Sequence, residues 1–566
     1  MLRLVLCLLL ASPAVSQEQA RPLTSGRPMP PEQACYDVTL YNLSVKVLPE
    51  TKSIEGSVVV EAKLLSKTDA LILDLHEALK VESVELLFVQ GIDEIDRVPA
   101  PFAHENGEIR IEVGELFQSN AVAPGDDISV RVVYGGAPRI APRAPWDGGF
   151  QWETTPSGAH WIATSNQMQG ADLWWPCKDQ PDDEPEGMTI SVTVPKGLTA
   201  VSNGRATGVV HEGDWSTWGW RVTTPINTYG VALNIAPYEV IEREIESTAG
   251  DTFLASYWVL PENVEKGKVL FEDFVRQIRW HEETFGPYPF RADKAGLVET
   301  PHLGMEHQSV TAYGNEYRGN PWGEDQGFDF LLHHEFAHEY WANLVTCRNW
   351  KDFWIHESFG TYAQALYCES LNGPDGYRKR MREIRRGHRN RAPIAPRQPM
   401  STSDVYFGAT GGDIYNKGAW VLHTLRWVVG DEDFFVALRR MAYPDPALEA
   451  TTDGSACRFS DTEEIRAIAE KHTKQDLSWF FELYLRQPAI PELEQTTKDG
   501  VLTLRWVVPE GLSCPMPLEV EVDGERTRLA MKDGTGTIDV PEGATVVIDP
   551  DGWILKEEAR MGRRER

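Results

Sequence analysis

The sequence predicts a multidomain α+β protein: an antiparallel β-domain first, an α-rich domain in the middle and a small β-domain last. Three observations carry this. A length of 566 residues calls for several cores, at roughly 100 to 200 residues per domain. The hydrophobic period changes from two to that of a helix near Asn263, and it changes back after Pro488.

In chain order, MLRLVLCLLLASPAVSQ has one Arg, an apolar stretch from Leu4 to Ala11 and small residues at Ala14, Val15 and Ser16. That is the pattern of a secretory signal over residues 1–16, cleaved before Gln17, and it predicts a secreted or periplasmic protein. A Pro-rich leader occupies residues 17–34. Over residues 35–245, short alternating runs such as YDVTLYNLSVKV, GSVVVEAKLL and DDISVRVVYG are separated by turn residues and read as antiparallel strands. Residues 246–487 carry amphipathic helical patterns, among them VEKGKVLFEDFVRQIRWHEETFG and NKGAWVLHTLRWVVG. Pro488 and Pro491 punctuate the end of that region, and LTLRWVV, LEVEV and GTIDV give a small β-domain over residues 488–556, before a basic tail at 557–566. No later segment offers the ~20 apolar residues of a membrane span.

Charge narrows the partners. With 55 Lys and Arg against 85 Asp and Glu, the net charge of −30 argues against nucleic acid or an anionic membrane as the partner of the whole chain. Beyond Cys7, six cysteines (Cys35, Cys177, Cys347, Cys368, Cys457, Cys514) are compatible with disulfides or with free buried thiols, and no C-x-x-C pair suggests a zinc-thiolate site. Asn42-Leu43-Ser44 is a glycosylation sequon.

The chemistry concentrates in HHEFAHEYWAN, from His333 to Asn343. Four residues of α-helix turn through about 400°, so His334 and His338 lie on one face, roughly 6 Å apart along the axis. Two imidazoles so placed can grip one ion, and Glu357, on a second helical run, is the third-ligand candidate. Two His and one Glu form a standard catalytic zinc shell that leaves a position for water. Glu335 lies about 100° around the helix from His334 and about 60° from His338, within reach of that water, where a general base belongs. His333 is off the ligand face.

Four motifs resemble the gluzincin aminopeptidases of the membrane alanyl aminopeptidase and leukotriene-hydrolase type. HEFAH with Glu357 matches H-E-x-x-H-x18-E, and Gly304-Met305-Glu306 lies in a segment similar to G-x-M-E-N. NQMQGADLWWPCKDQPDDEP resembles the substrate-amine region, and IYNKGAWVL resembles the Y-x-K-G-A segment. The resemblance implies an N-terminal β-domain, a thermolysin-like catalytic domain and a C-terminal β-sandwich. It implies one Zn2+ on His334, His338 and Glu357, and an α-amine site made by Glu306 and Gln169 with Gly304 and Met305. It also implies that Tyr415 hydrogen-bonds the tetrahedral oxyanion. Two positions depart from the family pattern. His307 and His356 stand where Asn is usual; a satisfied structural histidine is the commoner fate of each, and the alternative at 307 is an altered alignment of the substrate backbone with a more pH-sensitive activity.

The expected function is zinc-dependent removal of the N-terminal residue from peptides with a free amine. The rivals are a secreted thermolysin-like endopeptidase, which has no use for Glu306, and a non-catalytic peptide-binding protein on a peptidase scaffold.

Overall fold

The computed structural model describes residues 24–89 and 95–557. The predicted secretory signal, the first part of the leader and the basic tail beyond Glu557 lie outside the described residues.

The N-terminal half is built on an eight-stranded sheet. The long strand Tyr36–Leu48 pairs antiparallel with Ser53–Leu64 and parallel with Gly187–Pro195. Its alternation puts Tyr41, Leu43, Val45 and Val47 into the core while Asp37 and Ser44 face water. A four-stranded sheet that includes His160–Ser165 stacks nearby and ends at the turn carrying Gln167 and Gln169.

The leader does not end in solvent. Residues Pro31–Ala34 form a helical turn, and Thr24 and Ser25 are buried, with the Ser25 amide donating to Met168 O at 3.2 Å.

The catalytic half contains a five-stranded mixed sheet that the hydrophobic periodicity did not disclose. Its strands Ala295–Glu299 and Thr311–Tyr313 are buried throughout, so they carry no alternation to read. Strand Glu239–Glu246 pairs with Thr252–Val259 in this sheet, which moves the end of the β-domain from residue 245 to before Glu239. Helix Val264–Phe285 packs on the sheet, and helix Phe330–Ala337 lies over it. The long helix Trp354–Arg385 breaks at Gly373, where φ is 67°, and doubles back so that the Tyr362 and Tyr377 hydroxyls meet at 2.8 Å. Helix Asn416–Val429 packs beside it.

Two three-stranded sheets close the chain. One of them includes Glu492–Lys498, a strand whose polar sequence had masked it. No disulfide forms among the described residues, and all six cysteines named above are free thiols. No described helix is long and apolar enough to cross a membrane.

The zinc-motif helix is pinned by aromatic packing. Phe336 is fully buried, edge-on to Phe274 and stacked on Tyr288 at 5.6 Å. Phe336→Ala should therefore destabilise the protein by about 3–5 kcal/mol, read as a lowered denaturation midpoint in guanidinium.

Candidate metal centre and amine pocket

The helix bearing the motif starts cleanly because the Asp329 carboxylate caps it, accepting from the Leu332 amide at 3.1 Å and from Tyr313 and Asn315 side chains. The α-helix stops sooner than the sequence suggests. It ends at Ala337 with His338 as its cap, and Trp341 and Ala342 leave helical geometry. The break has a chemical consequence. The Trp341 carbonyl is freed to accept from His338 Nδ1 at 3.0 Å, which places the proton on Nδ1 and leaves Nε2 as the ligand atom.

Glu357 enters from the first turn of the long helix. Its Oε2 lies 3.4 Å from His334 Nε2 and 3.5 Å from His338 Nε2, while the two nitrogens are 3.3 Å apart. A tetrahedral ion with bonds of about 2.1 Å requires ligand atoms about 3.4 Å apart. Glu357 Oε2 is also buried without a hydrogen-bond partner. The three side chains fit one zinc ion.

Small residues clear the space. A Cβ on Gly360 would sit 3.2–3.3 Å from both imidazoles, and one on Gly418 would strike Ser358 Oγ at 1.6 Å. The second vacancy lets helix Asn416–Val429 approach, and Ser358 closes the gap by donating to Ile414 O at 2.5 Å. This brings Tyr415 to the centre, its hydroxyl donating to Glu357 Oε1 at 2.8 Å. Tyr406 stands behind it, hydroxyl to hydroxyl at 3.4 Å.

Glu335 lies in the same cleft, a cavity of about 440 Å3. Gly304 and Met305 form a short edge strand against Thr311–Tyr313, and a Cβ at 304 would come within 2.7 Å of Glu335 Oε1. Glycine at 304 therefore leaves room for the base. Burial lifts the Glu335 pKa well above the usual carboxylate range, opposed by His338 and reinforced by Glu306 and Glu357. The same cause pushes Glu306 up to about 7. His338 runs the other way: burial disfavours its charge, but the Glu357 contact and the carboxylates of Glu306 and Glu335 raise it to about 10. Glu357 is held low despite burial, because the two imidazoles lie against its carboxylate and favour its charge.

Glu306 is buried, and its Oε1 accepts from the Gln167 side-chain amide and from the Tyr229 hydroxyl, the latter at 3.3 Å. The amide partner is thus Gln167, not Gln169. Along the turn the two side chains diverge, and Gln169 Oε1 is taken by the Gly148 amide at 2.6 Å, which leaves Gln169 off the cleft lining. The motif segment held both glutamines, and only the turn decides between them. Tyr229, Tyr406 and Arg380, which is the one Lys or Arg side chain lining this cleft among the described residues, carried no sequence signal.

The histidines at the departures from the family pattern are structural. His307 is fully buried, its ring nitrogens unpartnered, and burial beside His302 drives its pKa far below the usual value. Burial favours the neutral ring, in keeping with a structural histidine. His356 Nε2 accepts from the Cys347 amide at 3.0 Å, and burial pulls its pKa to about 3. His333 stacks on Tyr367 at 4.7 Å, away from the ligand face.

Two family profiles match the chain, the Peptidase M1 N-terminal domain over residues 38–229 and the Peptidase family M1 domain over residues 270–448. Aminopeptidase N of Streptomyces lividans is 26% identical over 494 residues, covering 82% of this chain and 55% of that protein. Aminopeptidase N of Homo sapiens is 26% identical over 299 residues, covering 48% of this chain and 30% of its own length. The chain thus spans about half, or less, of these relatives. An M1 zinc metallopeptidase from Deinococcus radiodurans shares the fold, with a TM-score of 0.61 at 20% identity over 81% of this chain and 96% of that one. Its N-terminal β-domain, its helical domain with the His334, His338 and Glu357 trio, and both profile matches make this chain a member of peptidase family M1.

Proposed function

We propose that the chain is a zinc-dependent aminopeptidase that hydrolyses the first bond of peptides with a free N-terminal amine. The observation that carries this is the pairing, in one cleft, of the His334, His338 and Glu357 trio with a buried carboxylate, Glu306, braced by Gln167 and Tyr229. A zinc ion held by His334, His338 and Glu357 would supply Lewis acidity, polarising the scissile carbonyl and lowering the pKa of water so that it gives up its proton readily.

The remaining work belongs to side chains. Glu335 takes the proton of the attacking water and delivers it to the departing amine. Glu306 binds the substrate ammonium, and Gln167, donating to Glu306 through Nε2, keeps its carbonyl oxygen free as a second acceptor. An ammonium there favours the ionised form of a carboxyl that burial otherwise holds near 7. Tyr415 donates to the carbonyl oxygen as charge builds on it. A thermolysin-like endopeptidase would bring an uncharged peptide group to Glu306 and leave a buried carboxylate unpaired, which is costly. A binding protein would not need Glu335, Tyr415 and the trio together.

The direct test offers a Leu-initiated peptide and its N-acetylated twin, each with and without a zinc chelator. Release of free leucine only from the unblocked peptide, abolished by chelator, is the expected result; internal cutting of both would establish the endopeptidase instead. Glu335→Gln should keep one zinc per chain by elemental analysis while turnover falls by about 10²–10⁴. Gln167→Ala should raise KM for free-amine peptides about tenfold or more. Gln169→Ala, which removes only the Gly148 contact, should lower the melting temperature and leave KM near wild type.

Export is part of the same proposal, supported by the apolar N-terminal run and the small residues before Gln17. Secreted material whose intact mass begins near Gln17 is the outcome expected; a mass that still includes Leu2 would remove the signal.

A further inference from the structure

Beside the catalytic cleft lies a larger one of about 1170 Å3. One wall is the returning arm of the helical hairpin and the loop that follows it; the other is the end of the C-terminal β-domain at residues 549–557. Residues 378–391, RKRMREIRRGHRNR, hold eight Lys and Arg against one Glu, in a chain whose net charge is −30. The hairpin turns much of that run into the cleft.

Part of this positive charge is neutralised locally. Arg378 meets Asp375 and Asp551, and Lys556 pairs with Asp549. Arg385 donates to the Lys556 carbonyl. Arg382, Arg386 and Arg389 differ: they are exposed, they line the cleft, and among the described residues none has a carboxylate within ion-pair distance. Favourable interaction with the helix C-terminus accounts for Arg382 and Arg385, which lie in the last turn. It does not account for Arg389, beyond the helix. His388 adds no charge, since burial and Arg385 pull its pKa to about 3.

We propose that this cleft is a binding site for a small oligoanion bearing two or more phosphate or sulfate groups, held by Arg382, Arg386 and Arg389. The guanidinium fork matches such oxyanions bidentately, and three unpaired forks in one concavity call for more than one anionic group. The floor suits a ligand with some apolar surface, because Met381, Trp420 and Ile554 lie beneath the rim. A long polyanion is disfavoured. Asp549, Asp551 and Glu557 bound the cleft, and the acidic remainder of the chain repels a polymer that extends beyond it.

The test is isothermal titration of the full chain with sodium tripolyphosphate and, separately, with sucrose octasulfate, at about 0.15 M ionic strength. One-site binding of at least one probe is expected, weakened about tenfold or more by Arg382→Glu with Arg386→Glu, and the tighter probe tells phosphate from sulfate. A remote pair, Arg243→Glu with Arg505→Glu, should leave the affinity unchanged. The paired Gln substitutions at 382 and 386 provide a second variant should the charge reversal fail to fold, with thermal melts followed by circular dichroism as the check. Absence of binding by both probes, equal weakening by the remote pair, or undiminished binding in folded 382/386 variants would each overturn the proposal.

Discussion

Three ligand atoms from two separate helices must converge to within 3.3–3.5 Å of one another, and much of the catalytic domain serves that convergence. An unbroken helix would provide His334 and His338 on one face, but it would commit the Trp341 carbonyl to its own ladder. Ending the α-helix at Ala337 releases that carbonyl to orient His338. Glycine at 360 then admits the imidazoles against the second helix, and glycine at 418 lets a third helix bring Tyr415 to Glu357. A Cβ at any of these contacts would open the ligand triangle, and a triangle opened by even half an ångström no longer matches tetrahedral bond lengths.

The same convergence creates an electrostatic demand. Glu306, Glu335 and Glu357 are all buried around His338, and like charges so close in a poor solvent cannot all ionise unaided. Without a cation the proton distribution adjusts: Glu335 and Glu306 are pushed towards the neutral form while His338 holds its proton to about 10. Three carboxylates are balanced by one divalent ion and one ammonium group. On the proposed function, the cleft is matched in charge to the metal and a substrate amine together, and to neither alone, which gives Glu306 a role over and above the hydrogen bonds it accepts.

The parts legible in the sequence were those with a period or a fixed spacing. The helical face of His334 and His338, the base between them, and the order of β, α and β regions all follow from 3.6- and two-residue repeats. What was not legible had no such repeat. Strands Ala295–Glu299 and Thr311–Tyr313 are buried on both faces, so they resemble any short apolar run. Gln167 and Gln169 have the same chemistry two positions apart, and a turn rather than a strand separates them, so only coordinates assign one to Glu306 and the other to Gly148. The two readings of His307 could not be separated in the sequence for a related reason: a histidine's pKa depends on its surroundings, and burial beside His302 lowers it.

The contact between Gln167 and Glu306 is a joint product of the two halves, and that makes the leader part of the cleft's support. Gln167 comes from the β-domain, whereas Glu306 comes from the catalytic sheet, so their contact depends on how the halves dock. Residues just after the undescribed N-terminal segment sit in that joint. Thr402 Oγ1 donates to Met168 O at 2.6 Å, and the Ser25 amide reaches the same carbonyl. Gly26, at φ 68°, lies against Trp350 so closely that a Cβ would fall 2.2 Å from its ring. Trp350 in turn packs edge-on to Tyr229 at 5.5 Å, and Tyr229 donates to Glu306. The turn bearing Gln167 and the tyrosine bracing Glu306 are thus both backed by the same few leader residues. A side chain at position 26 would act first on the alignment of the ammonium site, and only through it on hydrolysis, because none of these contacts touches His334, His338 or Glu357.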